Sequence, residues 1–507
     1  MTEADSGSSD DDSGQVTTPV ENPSNSGTSS GNGSGSNANP SNPSNPDSGS
    51  TKISYTITFA PNGGEGTLPA NITAKSGEEI TLPSAELART GYDFKGWCTT
   101  SDGKGTTYEA GSAAKDLTAE NSATVTLYAK WVLQGNWSIS YVLNDDETTP
   151  AQNAESNPAE YNIESAVTLA DPERSFYEFA GWYGNADFSG DKLTGWNAGV
   201  KTGDITLYAK WTLTAAGAPG LIRALPDDGE THTVSISGDM TADDFTALKE
   251  VLYGKKVCLD LSATTITEIP SNAFSNASND CRGLAGIVLP ASVEKIGNKA
   301  FYKSELETVI IPKSDTAVTI GANAFASSEL KSIAIPGNVK AISTYAFSSC
   351  QKLASVVIEE GVQSIENQAF SNCRVLKSVT IPSTVIEIGQ YAFIGCNALE
   401  STVVNSKTTG DSMFHQCTAL KEVTLGTEVK TLTGYTFSYC SSLETVNILT
   451  NELSIGDCAF YECTVLKNVR IAGSETDCKI TSSSLAGGNN SFDSAEKIYN
   501  YDFSQSN

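Results

Sequence analysis

Between residues 255 and 475 the apolar positions return with one period. Phenylalanines stand at 274, 301, 325, 347, 370, 393, 414, 437 and 460, with spacings of 21 to 27 residues. Each is followed by a Leu-x-x-Val-x-Ile block, as in Leu376-Val379-Ile381 with Pro382, or Leu330-Ile333-Ile335 with Pro336. Further apolar pairs, such as Val362/Ile365 and Val385/Ile388, precede the Phe. Val-x-Ile predicts a short strand with alternate side chains inward. Pro ends its pairing because it has no N–H to donate. The Ala-Phe segment then returns on the convex side and puts its ring into the core. A unit of about 23 residues cannot bury its own apolar face, whereas a stack of them can, so the pattern predicts a leucine-rich solenoid with a parallel ladder. Nine strands would give a ladder roughly 40 Å long. The seventh unit, Thr409 to Phe414, lacks the preceding Val/Ile pair, so a kink or weak stacking interface is expected there.

Two stretches upstream, 53–133 and 137–213, carry a different and duplicated pattern. Each opens with an alternating strand, Tyr55 to Phe59 and Ser138 to Leu143. Turn residues follow at Asn62-Gly63-Gly64 and Asn144-Asp145-Asp146. Each then has a Gly-Trp pair, Gly96-Trp97 and Gly181-Trp182, and closes on Thr-Leu-Tyr-Ala-Lys-Trp ending at Trp131 or Trp211. All six Trp fall in this region, where large rings supply much of the core of an 80-residue module. Trp196 has no counterpart in copy one and is the aromatic expected to be exposed. Copy two lacks the Asn-Gly-Gly turn, so its first hairpin is expected to differ. Residues 214–254 read as a linker and N-terminal cap: an alternating strand at Thr233 to Ser237, then a capping box at Thr241/Asp244 and a helix face of Phe245, Leu248, Val251 and Leu252 ending at Gly254. Residues 476–507 read as a C-terminal cap or tail.

Composition separates off one more piece. The first 50 residues hold 33 Ser, Gly, Asn and Pro, so they cannot bury a core, and 1–52 reads as an acidic disordered tether. Asp10, Asp11 and Asp12 lack the downstream Gly and Glu of a calcium loop and read as a solvated charge run. The net charge of −28 argues against nucleic acid or an anionic membrane surface as partner. No apolar run approaches the ~18 residues of a membrane helix. Met1 leads straight into polar sequence, which leaves two readings: a cytoplasmic chain, or a mature surface protein whose leader is gone, with Met1 where a lipid-bearing Cys stood in the precursor.

The Gly-Trp and Leu-Tyr-Ala-Lys-Trp pairs in tandem resemble the internalin-type B-repeat, or Listeria–Bacteroides repeat. That likeness implies small, mostly β, β-grasp-like modules serving as spacers or interaction units, without catalysis. The run Ile381-Pro382 through Ile388-Gly389, Ala392-Phe393, Cys396 and Leu399 resembles the BspA-like leucine-rich repeat. That likeness implies a bacterial cell-surface protein that binds host extracellular-matrix or cell-surface proteins, or other bacterial surface proteins.

Six of the eleven Cys sit three residues after the repeat Phe: Cys350, Cys373, Cys396, Cys417, Cys440 and Cys463. One Cys per coil cannot surround a zinc. Stacked Cys come near enough for a disulfide by distance, but parallel side chains disfavour it. A buried thiol ladder bonding weakly to backbone carbonyls is the reading preferred. Cys98, Cys258, Cys458 and Cys478 lie off the ladder and are the better candidates for pairing.

On the concave side the strand positions between the inward residues should meet solvent. One column reads Val288, Ile310, Ala334, Val357, Thr380 and Val403, continuing through Thr424, Asn447 and Arg470. Beside it run Gly286, Thr308, Ser332, Ser355, Ser378 and Ser401. This smooth surface suits a protein or extended peptide better than a sugar, although β propensity alone would also produce it. Tyr302, Tyr345, Tyr391, Tyr435, Tyr439 and Tyr461 flank the repeat Phe and form a second candidate surface, with packing between coils as the alternative. There is no nucleophile elbow or phosphate loop, and His232 and His415 are the only histidines. No enzyme, metal or cofactor is expected. The remaining classes are an adhesin binding a protein ligand and an envelope scaffold that binds its neighbours or itself.

Overall fold

A computed structural model describes residues 52–278, 281–482 and 491–505. The tether reading therefore lies, apart from Lys52, outside the described residues.

In copy one the first and last strands, Ser54–Ala60 and Thr124–Leu133, lie parallel at the centre of a five-stranded sheet. Ile72–Lys75 borders them on one side, Tyr92–Cys98 and Thr107–Glu109 on the other. Alternation turns Tyr55, Ile57 and Phe59 inward onto Trp97, Leu127 and Ala129. The sheet is β-grasp-like, without a helix among its described residues. The glycine of the Gly-Trp pair has a steric cause. The register slips between Phe94 and Gly96, Gly96 has φ +128°, and a Cβ there would stand 2.1 Å from the Tyr108 carbonyl oxygen.

Copy two repeats the central pairing, Trp137–Val142 beside Ile205–Leu213. Its first hairpin does differ. Asn144 donates to the Ala209 carbonyl as Asn62 does to Ala129, but a longer loop follows. The Arg174 guanidinium fastens that loop to the Thr149 and Asn144 carbonyls and to Asp146 at 2.6 Å. The expectation for Trp196 is wrong. It is 8% exposed, because the strand Gly195–Trp196 pairs with Val167–Thr168 and turns the ring onto Tyr161, 5.1 Å away. In copy one Ala114 fills the corresponding place opposite Ile80.

The same turn makes the joint at the end of both modules. In copy one, Arg89-Thr90-Gly91-Tyr92 takes Ile163 of copy two against Gly91, and the Tyr92 hydroxyl donates to Glu164. In copy two, Arg174-Ser175-Phe176-Tyr177 instead supplies a ring. Phe176, at φ +72°, lies over the helix Ala218–Ala224, where a Cβ on Gly220 would stand 2.4 Å from its Cδ1. Glycine inside a helix costs about 1 kcal/mol relative to Ala, so this Gly serves the close approach rather than the helix. Leu213 and Tyr177 thereby join the core of the coils.

The solenoid begins at His232–Gly238, which pairs parallel with Val257–Thr264, while the capped helix Ala242–Val251 covers the open core with Phe245 and Leu248. The inner ladder runs in sheets of four, two and six strands up to Glu496–Ile498. It exceeds the nine strands expected because flanking segments add strands at both ends. A second ladder was not foreseen. The apolar pairs before each Phe form short parallel strands of their own, from Glu268–Ile269 to Glu387–Ile388 and again from Thr431–Leu432 to Lys479–Ser482.

Between the ladders the nine Phe stack face to face. Their centroids are 5.0 Å apart and within 5° of parallel from Phe325 to Phe393. The column continues to Phe492, 5.1 Å beyond Phe460. The convex turns hydrogen-bond from coil to coil as well: the Phe347 N–H donates to the Ala369 carbonyl, and Phe370 to Ala392. The residues two before and two after a Phe are left-handed in coil after coil, including Lys299/Lys303, Tyr345/Ser349 and Tyr435/Tyr439.

The irregular seventh unit interrupts the second ladder, leaving a single Thr408–Thr431 bridge. Thr409, Thr433 and Thr436 fill the gap with hydroxyl contacts of 3.0 to 3.3 Å, and Phe393 and Phe414 open to 5.3 Å and 18°.

Two outcomes follow from this packing. Phe370→Ala should lower stability by about 3–5 kcal/mol in urea unfolding, with hydrogen exchange accelerated in its own and adjacent coils and unchanged at residues 232–264. Exchange raised uniformly along the coils would contradict nearest-neighbour stacking. Gly220→Leu should dislodge Phe176 and make residues 214–217 a protease-sensitive joint while copy two and the coils stay folded. An unchanged digestion pattern would show that the joint does not depend on this contact.

Candidate concave binding face

Strand alternation builds the candidate face. In Ser332–Ile335 the second and fourth residues are buried and the first and third exposed, and the next five strands keep the second residue inward. Ile310 is 57% and Val357 53% exposed; Ala334 and Thr380 are exposed, Val288 and Val403 half-buried. Ladder register sets Val288 beside Ile310, Ala334 beside Val357, and Thr380 beside Val403. Thr308, Ser332, Ser355, Ser378 and Ser401 form the exposed hydroxyl column alongside, but Gly286 at its head is buried.

The C-terminal end of the face departs from expectation. Asn447 is buried, with Nδ2 donating to Glu422 Oε1 at 2.6 Å and to Thr424 Oγ1 at 3.2 Å. Arg470 lies 3.8 Å from Glu422 and over the Tyr501 ring. These polar groups bond to one another through Asn447 Nδ2 and the Glu422 carboxylate, while Asn447 Oδ1 is left without a partner, and the open stripe ends near Val403. One flank carries charge pairs between coils, Glu307–Lys331 at 2.5 Å and Glu400–Lys421 at 3.3 Å. The hydrogen bond from Lys331 holds the Glu307 carboxyl below its ordinary range. Exposed pairs of this kind favour register more than stability. Beside the first coils a cavity of about 410 Å³ opens between Tyr253, Lys256, Arg282, Glu305 and Glu307. Its lining comes from four separate segments, Pro226 to Glu230 being the fourth, so no local sequence signal marks it.

The six ladder thiols are all buried and all point the same way. Each Sγ donates to the carbonyl of the Phe one coil earlier, from Cys350 to Phe325 at 3.1 Å through Cys463 to Phe437 at 3.1 Å. In the first coils Ser304 and Ser328 occupy the position. No cysteine is disulfide-bonded, those off the ladder included. Burial pushes the Cys350 thiol up to about 11 and Cys463 up to about 12, and raises the four between them. Among the described residues, no group of three or more His, Cys, Asp and Glu converges as a metal site would require.

Residues 267–400 and 401–507 match the BspA type leucine rich repeat region, and 55–130 and 137–210 match the Listeria-Bacteroides repeat domain. The chain carries BspA-type repeats behind two Listeria–Bacteroides repeats. Two proteins of Evansella cellulosilytica, both named as membrane proteins, are 29% and 32% identical over 31% and 33% of this chain, but only 18% and 24% of their own lengths are covered. Among solved structures, the pneumococcal vaccine antigen PcpA is similar at 20% identity over 52% of this chain and 85% of its own, with a TM-score of 0.31. A leucine-rich repeat protein of Bacteroides ovatus is similar at 22% identity over 52% and 78%, with a TM-score of 0.30.

A raised thiol pKa keeps the thiolate rare at pH 8. Ladder cysteines should therefore stay unlabelled by a thiol reagent in the native protein and react on unfolding. Because their folded values lie above the unfolded ~8.5, their contribution to stability is whole below that pH and declines as pH climbs toward 11–12. Native labelling of Cys396 at pH 8, read by mass spectrometry, would contradict the buried ladder.

Proposed function

We propose that this is a non-enzymatic bacterial cell-surface protein that binds protein ligands through the concave stripe and serves adhesion to host or other cells. The observation that carries the reading is the stripe itself. Ile310 and Val357, each more than half exposed, sit in register with small and hydroxyl-bearing neighbours along successive coils, while the polar end of the same face is closed on itself. Apolar residues held outward by a rigid ladder are the kind of patch that marks a protein contact. The repeat families found in the chain support surface display and protein interaction. No helix among the described residues is long and apolar enough to cross a membrane, and a lipid anchor in the precursor remains part of the proposal. A scaffold role through self-association is the competing reading, favoured by the convex tyrosines treated below.

The test is solid-phase binding of the full chain to a panel of extracellular-matrix and cell-surface proteins. Val288→Lys, Ile310→Lys and Val357→Lys together should weaken saturable binding by tenfold or more, with the far-UV dichroism unchanged. Unaltered binding, or no saturable binding to any member of the panel, would contradict the proposal.

A further inference from the structure

The convex turns carry aromatic rings that the core does not explain. Tyr345, Tyr391, Tyr435 and Tyr439 are 36% to 47% exposed, and every one is left-handed, with φ between +55° and +60°. The left-handed conformation costs a residue with a Cβ about 1–2 kcal/mol, and a bulky side chain there is a marked outlier. Gln368 and Ser412 occupy the same place in the intervening coils, so the turn does not require a ring. Bonds between coils hold the same left-handed turn on Asn, Lys, Gln and Ser, Tyr439 packs edge-on against His415 and Tyr461, and Tyr435 meets Cys458; what the core leaves unexplained is the outward exposure of the rings.

The spacing identifies what could use these rings. Tyr345, Tyr391 and Tyr435 stand two residues before Phe347, Phe393 and Phe437, one in every second coil. From the first to the second there are two coil steps of 5.0 Å; from the second to the third, steps of 5.3 and 5.4 Å. A polyproline II chain advances roughly 9.3 Å in three residues, exposes its carbonyls, and docks Pro on aromatic rings. This chain contains a sequence of the matching period: Asn39-Pro40-Ser41-Asn42-Pro43-Ser44-Asn45-Pro46 places Pro at every third position. The segment has no charge, and the half-buried Gln368 between the first two tyrosines is also uncharged and can donate hydrogen bonds.

We propose that the tyrosine ridge of one molecule binds the Asn-Pro-Ser triplets of a second copy, Pro40, Pro43 and Pro46 each seated on one ring. The partner is a second copy because Pro46 lies eight positions before Ser54, roughly 28 Å at full extension, and among the described residues copy two and the cap stand between copy one and the coils in the chain, with the core of copy one separate from that of the coils. A head-to-tail contact of this kind does not close on itself and adds molecules in a row. It uses the convex side and stands independently of the concave stripe.

The experiment measures a fluorescent peptide of residues 37–48 binding to the full chain, together with sedimentation of the full chain over a concentration series. Tyr345→Ser, Tyr391→Ser and Tyr435→Ser together should weaken peptide binding by about tenfold or more and abolish self-association, with unchanged dichroism. The corresponding Phe substitutions should retain both, which separates loss of rings from loss of fold. Replacing Pro40, Pro43 and Pro46 by Ala should abolish binding in the peptide and association in the chain. A full chain that stays monomeric, or peptide affinity indifferent to either set, overturns the proposal. Binding of a β-linked glycan oligosaccharide to the ridge, with no binding of the peptide, would overturn it and assign the ridge to sugar instead.

Discussion

The structure depends on contact between coils. No coil closes its own core. Each Phe ring has the next Phe as its neighbour, each ladder thiol borrows a carbonyl from the coil before, and each convex Phe N–H from Phe274 to Phe437 donates to the coil after. Three different interactions therefore repeat with the same step. The step is set by strand pairing on the concave side and kept by rings and turns elsewhere. The capped helix with Phe245 at one end, and Phe492 with Glu496–Ile498 at the other, close faces that would otherwise expose an apolar column.

Much of this was legible because the Phe period and the Leu-x-x-Val-x-Ile blocks each encode burial directly. The Gly-Trp pairs were equally plain: at Gly96 a carbonyl would stand 2.1 Å from a Cβ, and at Gly181 the same bulge, at φ +146°, meets the Lys192 side chain. What escaped had weaker or displaced signals. The second ladder is built from strands as short as Glu387–Ile388, too brief to show alternation. The left-handed turns fall on Lys, Tyr, Ser, Gln, Cys and Glu as well as on Asn272, Asn323, Asn372 and Gly395, because bonds between coils hold them there whatever the residue. Trp196 looked unmatched only because its counterpart is Ala114, a residue with no signature of its own. Asn447 occupies a column that faces solvent elsewhere, and only the arrival of Glu422 from the neighbouring coil buries it.

The candidate face was readable as a column, since strand period fixes which residues point outward. Its extent was not. The limit near Val403 comes from a hydrogen-bonded cluster whose members are 23 to 48 positions apart. The joints show the same dependence on distant residues: one turn, used twice, accepts a side chain at Gly91 and supplies one at Phe176. Copy two keeps a core of its own around Trp182 and Trp196, and only Leu213 and Tyr177 carry it into the core of the coils.

The adhesive role of the stripe requires the solenoid to be displayed outside the cell. Protease shaving of intact source cells, followed by probing for residues 215–507, tests that most directly. Loss of the signal while a cytoplasmic marker survives is the result predicted. Protection of the region until lysis would contradict surface display and, with it, the adhesive role of the stripe.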